Sequence, residues 1–161
     1  MRDPKEIETL DRILGLGARS FVRYLIEGGR PWERSDWDRR ALSAFEAWHR
    51  DGTPSLAAIE GLLAAEKVHP SLPLWPIEFA QYNLLSPVYL LGPVIERTSP
   101  AIEAIDAEAG GLSGWPEARE VVEAMVAMDR EHLRTVEAIE AERPKEPPKP
   151  AVKKGVSANF W

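Results

Sequence analysis

Apolar residues along most of this chain recur at three- and four-residue spacing, the period of a helix with one face turned inward. Over residues 5–28 the stripe is Leu10, Leu14, Gly17, Phe21, Tyr24 and Leu25. This predicts a first helix that ends at Gly28-Gly29, as glycine ends helices. Gly17 inside it costs about 1 kcal/mol relative to Ala and implies a neighbouring helix at close range. Trp37, Ala41, Phe45 and Trp48 mark the buried side of a second helix, capped by Ser35 or Asp36. Asp51-Gly52-Thr53-Pro54 resembles a break with Thr53 as cap. Yet Leu56, Ile59 and Leu63 keep the same angular phase, so one helix kinked near Pro54 is favoured over two short ones.

Three prolines between Pro70 and Pro76 predict an extended connector. A third helix is expected over Ile77–Thr98. Its stripe is Ile77, Leu84, Val88, Leu91 and Ile95, with Gln81 on it and Glu78 at its edge, and Pro87 and Pro93 bending it. Ser99-Pro100 begins a continuation or a short helix to Glu108. Gly110–Gly114 reads as a flexible turn, and Pro116, with acids in the first turn, begins a last helix that runs to Glu142.

The pattern predicts an all-α bundle over residues 1–142. Beyond Glu142 the composition turns to Pro, Lys and Glu, the signature of a linker. This tail, 143–161, ends in Phe160-Trp161 behind Lys153 and Lys154. An aromatic anchor on a basic tether is one way a short segment docks on a partner or a neighbouring subunit; folding back on its own bundle is the alternative.

Chemistry is concentrated in the last helix. At 100° per residue from Val121, Asp129 and His132 fall at roughly 80° and 20°, inside the stripe of Met125, Val136 and Ile139. A carboxylate or imidazole facing a core must be paired, hydrogen-bonded or bound to metal. A satisfied polar pair is the plainer reading, and half of a metal site the sharper one. Two Glu-x-x-His spacings, Glu46/His49 and Glu66/His69, read as surface coincidences. Glu46 points away from its stripe and His69 precedes Pro70.

The remaining numbers narrow the classes. The chain has 161 residues, long enough for one domain with a core. It has no cysteine, which rules out disulfides, thiolate metal sites and Cys nucleophiles. A chain without disulfides or an apolar leader suits the cytoplasm. Its longest uncharged run, Phe79–Ile95, is 17 residues with two prolines, and reads as buried helix rather than membrane span. Residues 1–142 carry 15 basic against 25 acidic side chains, and 143–161 carry five against one. An acidic body argues against nucleic acid as the partner. No phosphate loop or nucleophile elbow is present.

Four long helices with a crossing connector between the second and third resemble the ferritin-like architecture. The stretches Ile13–Trp32 (I-L-G-L-G-A-R-S-F-V-R-Y-L-I-E-G-G-R-P-W) and Trp75–Leu91 (W-P-I-E-F-A-Q-Y-N-L-L-S-P-V-Y-L-L) resemble a family of small uncharacterised bacterial ferritin-like proteins over residues 8–140. The wider superfamily binds two irons through Glu on two helices and Glu-x-x-His on two others. Asp129-x-x-His132 resembles one such unit with Asp for Glu, but the first helix lacks a central Glu and the third offers Gln81. The resemblance therefore implies a bundle with a degenerate or absent di-metal site, acting through a protein partner or as a homo-oligomer, with no cofactor. The alternative is a di-iron or mononuclear protein using His49, Asp129 and His132, helped by Gln81 or Glu78, with iron, manganese or zinc.

Overall fold

A computed structural model describes residues 1–145. The described chain is all-helical: α1 (Pro4–Ala18), α2 (Phe21–Glu27), α3 (Asp36–Ala65), α4 (Pro87–Ala109) and α5 (Pro116–Glu142), with 3-10 turns at Ile77–Tyr82 and Gly110–Leu112. No described helix is long and apolar enough to cross a membrane. Phe160, Trp161, Lys153 and Lys154 lie outside the described residues.

The helix expected over 5–28 is two helices. Arg19 N–H bonds back to Gly15 and Ser20 N–H to Gly17; Ser20 then restarts the chain by accepting from Arg23 N–H at 3.4 Å. The apolar phase runs through this break, so periodicity misses it, although Ser20 is a legible cap. Gly17 does mark a close approach: a Cβ there would sit 2.8 Å from Leu56 Cδ2.

α3 is one helix of 30 residues with Pro54 inside it. Ser35 caps it, accepting from Asp38 N–H at 3.0 Å. It ends with Lys67 in the left-handed region (φ 61°). Val68 N–H bonds Leu63 and Lys67 N–H bonds Ala64, a Schellman closure that normally uses glycine.

The helix expected over Ile77–Thr98 is also corrected. Its first part is the 3-10 turn, and α4 starts only at Pro87. Ser86, preceding a proline, takes extended backbone (ψ 156°), and Pro87 occupies the first helical position instead of bending a helix. Ile77 and Leu84, placed on the inward stripe, are 85% and 98% exposed. α4 instead continues through Pro93 and Pro100 to Ala109, so the 99–108 segment is a continuation.

Ion pairs and hydrogen bonds fix the directions. Asp38 at the start of α3 accepts from Val88 N–H at the start of α4 (3.0 Å), so these helices run parallel. α5 runs antiparallel to α3, since Arg40 binds Glu142 and Trp48 meets Asp129. α1 is antiparallel to α4: Arg12 pairs with Glu108 at 2.9 Å, and Glu6 accepts from Gly114 N–H at 2.6 Å. The connector between α3 and α4 crosses α1 at Gly15, where a Cβ would lie 3.2 Å from Pro73 Cδ. Asp11 accepts from Ser71 N–H there at 2.9 Å.

Between these helices lies one core, including Leu10, Ile13, Phe45, Ile59, Leu91, Val94, Val122 and Val136, all fully buried. Each such side chain contributes about 1.5–3 kcal/mol relative to exposure. The turn Gly110–Leu112 is part of it, because Leu112 is fully buried.

Candidate functional site

α5 carries Asp129 and His132 inward, as the 100° count predicts, between buried Val126 and Val136. They do not bond to each other. Asp129 Oδ1 accepts from the indole N–H of Trp48 on α3 at 2.8 Å. His132 stacks on the same indole, ring centroids 5.7 Å apart and 13° from parallel. Its Nε2 lies 3.1 Å from Asp51 Oδ2. Trp48 is therefore the centre of the cluster, buried to 6% exposure.

Burial pushes the Asp129 carboxyl up to about 6, against the opposing pull of the Trp48 hydrogen bond and of nearby His132. One hydrogen bond does not replace the hydration a carboxylate loses.

His49 faces a different partner. Its Nε2 is 3.0 Å from Glu27 Oε1, and Glu27 also takes the guanidinium of Arg23 at 2.7 Å. Arg23 reaches the His49 carbonyl at 3.3 Å as well. Glu27 points away from the stripe of a continuous first helix; the restart at Ser20 resets the angle and brings it to His49. Asp129 and His49 line one small cavity of about 50 Å³ at the break between α1 and α2, beside Gly17 and Gly52. That space suits a few water molecules.

Gln81 is exposed on the 3-10 turn and does not line the cavity, so it is not assembled with Asp129 and His132. Glu78 is exposed on the same turn. Glu46 takes Arg30 at 2.6 Å on the surface, and His69 is exposed. Among the described residues no group of three or more His, Asp or Glu is arranged to hold a metal ion. What the geometry supports here is structural: each inward ionisable group has one specific partner on another helix.

A second region differs in kind. The loop after α2 and the turn before α4 enclose an open groove of about 690 Å³. Trp32 and Leu84 on its walls are 80% and 98% exposed, and Leu85 and Tyr89 38% and 46%. Leu74 on the connector and Ile77 on the 3-10 turn are also exposed, at 92% and 85%. Periodicity counted Ile77 and Leu84 as core. The usable signal was Ser86-Pro87, which separates these residues from the helix they were assigned to.

No protein-family model, curated protein or solved structure matches this chain.

Proposed function

We propose that this chain is a non-catalytic, ferritin-like helical bundle that works through protein–protein contacts. The observation that carries the reading is the run of large apolar side chains left in water: Trp32, Leu74, Ile77 and Leu84 are each at least 80% exposed. Trp32 and Leu84 line one groove; exposed apolar surface of this kind marks interaction sites in soluble proteins, and large aromatics dominate contact energy. The ferritin-like part of the proposal rests on the parallel α3 and α4 joined by a long connector, each flanked by antiparallel neighbours. A di-metal centre is left out of the proposal; the hydrogen bonds of Asp129, His132 and His49 to Trp48, Asp51 and Glu27 support that choice. A chain without cysteine suits a reducing cytoplasm. Phe160 and Trp161 add a second contact point to the proposal.

The test is site-specific photo-crosslinking in the native cells, with the crosslinker at Leu84 or, as control, at Gly61 on the exposed side of α3. Discrete protein adducts are expected from position 84, lost on Trp32→Ser and absent from position 61. Equal adduct patterns at both positions would reject the reading. Deleting 143–161 is expected to keep helicity and reduce adduct yield; unchanged yield would remove the tail from it.

A further inference from the structure

The groove between the loop after α2 and the turn before α4 has a charge opposite to that of the chain. The protein carries a formal net charge of −6. Yet among the described residues no Asp or Glu lines the groove, while Arg30 and Arg34 do. Arg30 is held by Glu46 at 2.6 Å, with both side chains more than a third exposed. Arg34 is exposed, and its guanidinium makes no ion pair among the described residues. Its position is fixed from behind, because its backbone N–H donates to the buried Asp38 carboxylate at 2.9 Å. The same carboxylate holds Val88 N–H. One buried acid thus locks both walls at the foot of the groove, and the apolar side chains and the two guanidinium groups are presented on a fixed frame.

We infer that this groove binds an acidic segment of another protein, one that carries large apolar anchors flanked by Asp or Glu. The inference rests on the docking function proposed above and names the chemistry of the partner. Apolar anchors fit against Trp32, Leu84 and Leu85, and a flanking carboxylate pairs with the fork of Arg34. A second carboxylate competes with Glu46 for Arg30, an exchange that costs little because the existing pair is solvent-exposed. Charge argues against the chain's own tail as occupant: residues 146–161 carry Lys149, Lys153 and Lys154 against Glu146 alone, and would meet two arginines of like sign. The protein's acidic surround repels an acidic ligand at long range. Specificity therefore comes from the desolvated contact at Arg34, not from steering.

The probes are three fluorescent peptides of about twelve residues that share one Trp and two Leu as anchors. They differ only in having Glu, Gln or Lys between the anchors. Fluorescence anisotropy on the full chain is expected to rank them Glu, Gln, Lys, with about tenfold or more between first and last. Salt near 0.5 M narrows that gap, because it shortens the screening length. Arg34→Glu is expected to reverse the ranking, and Trp32→Ser to weaken all three about fivefold or more. Both residues are exposed, so unchanged circular dichroism accompanies both variants.

Equal affinity for the three peptides, still reduced by Trp32→Ser, overturns the acidic preference and leaves the docking function standing. Failure of all three to bind below about 1 mM overturns both. Self-association of the chain that Arg34→Glu abolishes assigns the groove to a second copy and overturns the proposal. Tighter binding of all peptides after removal of residues 146–161 assigns it to the tail and does the same.

Discussion

The interior cluster around Trp48 and the open groove around Trp32 are opposite departures from the rule that apolar goes in and polar stays out. In the first, Asp129 and His132 are drawn partly out of water, Asp129 bonded to Trp48 and His132 set against Trp48 and Asp51, all on α3. In the second, Trp32 and Leu84 are left in water with no apolar cover. The difference teaches where to look for function in this fold. Inward ionisable groups attract attention as an active site, but here each is bound to a group on another helix. The uncovered apolar side chains retain unspent contact free energy, about 25 cal/mol per Å² of area removed from water.

Asp38 ties the two walls of the groove together, and its loss is the largest expected effect. Burial alone would raise its pKa. Backbone hydrogen bonds from Val88 and Arg34, with side-chain bonds from Ser35 and Ser86, outweigh burial and hold it below the ordinary carboxylate value. Its contribution is therefore present above the unfolded pKa near 4 and is lost as pH falls through the lower folded value. Asp38→Ala leaves Arg34 and Val88 N–H groups without acceptors, and is expected to cost about 3 kcal/mol. It also loosens both groove walls. Urea denaturation at pH 7 checks the first effect and peptide affinity the second; a loss below about 1 kcal/mol would show that the two walls are held by other means.

Next in size is Trp48→Phe, which keeps an aromatic ring under His132 and removes the donor to Asp129. A destabilisation of about 2 kcal/mol is expected at pH 8, and a smaller one at pH 5, where the carboxyl is mostly protonated. Equal losses at both pH values would mean that Asp129 does not titrate in this range.

Asp129→Asn runs the other way. A folded pKa of about 6, raised above the unfolded value of 3.8, means the native state holds its proton more tightly. Stability therefore falls as pH rises from about 4 to about 6, and stays reduced above that. Asn removes the buried charge and keeps an acceptor for Trp48. It is expected to stabilise the protein by about 1–2 kcal/mol at pH 8 and to leave pH 4 nearly unchanged. Thermal melts across that range check it, and destabilisation at pH 8 would mean that the carboxylate's interactions with Trp48 and His132 outweigh the cost of its burial.

Trp32→Ser is expected to change stability by less than about 0.5 kcal/mol while removing docking. A larger loss of stability would make Trp32 a structural residue and end the contrast between the two regions. The smallest effect belongs to metal. Iron(II), manganese(II) or zinc(II) at a few equivalents is expected to shift Tm by less than about 1 °C. A larger rise that disappears in His132→Ala would restore the metal reading at Asp129 and His132.

Much of the helical layout was legible. Pro116 and the acids after it place the start of α5, and Leu56, Ile59 and Leu63 carry the phase of α3 through Pro54. The inward turn of Asp129 and His132 follows from angle alone. Their partners do not. Trp48 and Asp51 are each 81 residues from the group they bind, and no local pattern relates residues so far apart. The pairing of Glu27 with His49 is hidden as well, because the first stripe runs through the restart at Ser20. Ile77 and Leu84 were misjudged because apolar character identifies a residue able to be buried, not one with a neighbour to bury it.

By itself, then, the sequence determined the all-helical content, the cysteine-free chemistry and the angular position of each ionisable group on its own helix. These are properties of a single segment, set by a period of 3.6 residues and by caps such as Ser35. Tertiary structure decided everything that depends on the register between two segments. It set Asp129 against Trp48, sent His49 to Glu27, and left Leu84 uncovered beside an Arg34 that has no ion pair among the described residues. The physical reason is that a side chain's free energy depends on what the packing of other helices brings within reach, and a helix's own periodicity is blind to that.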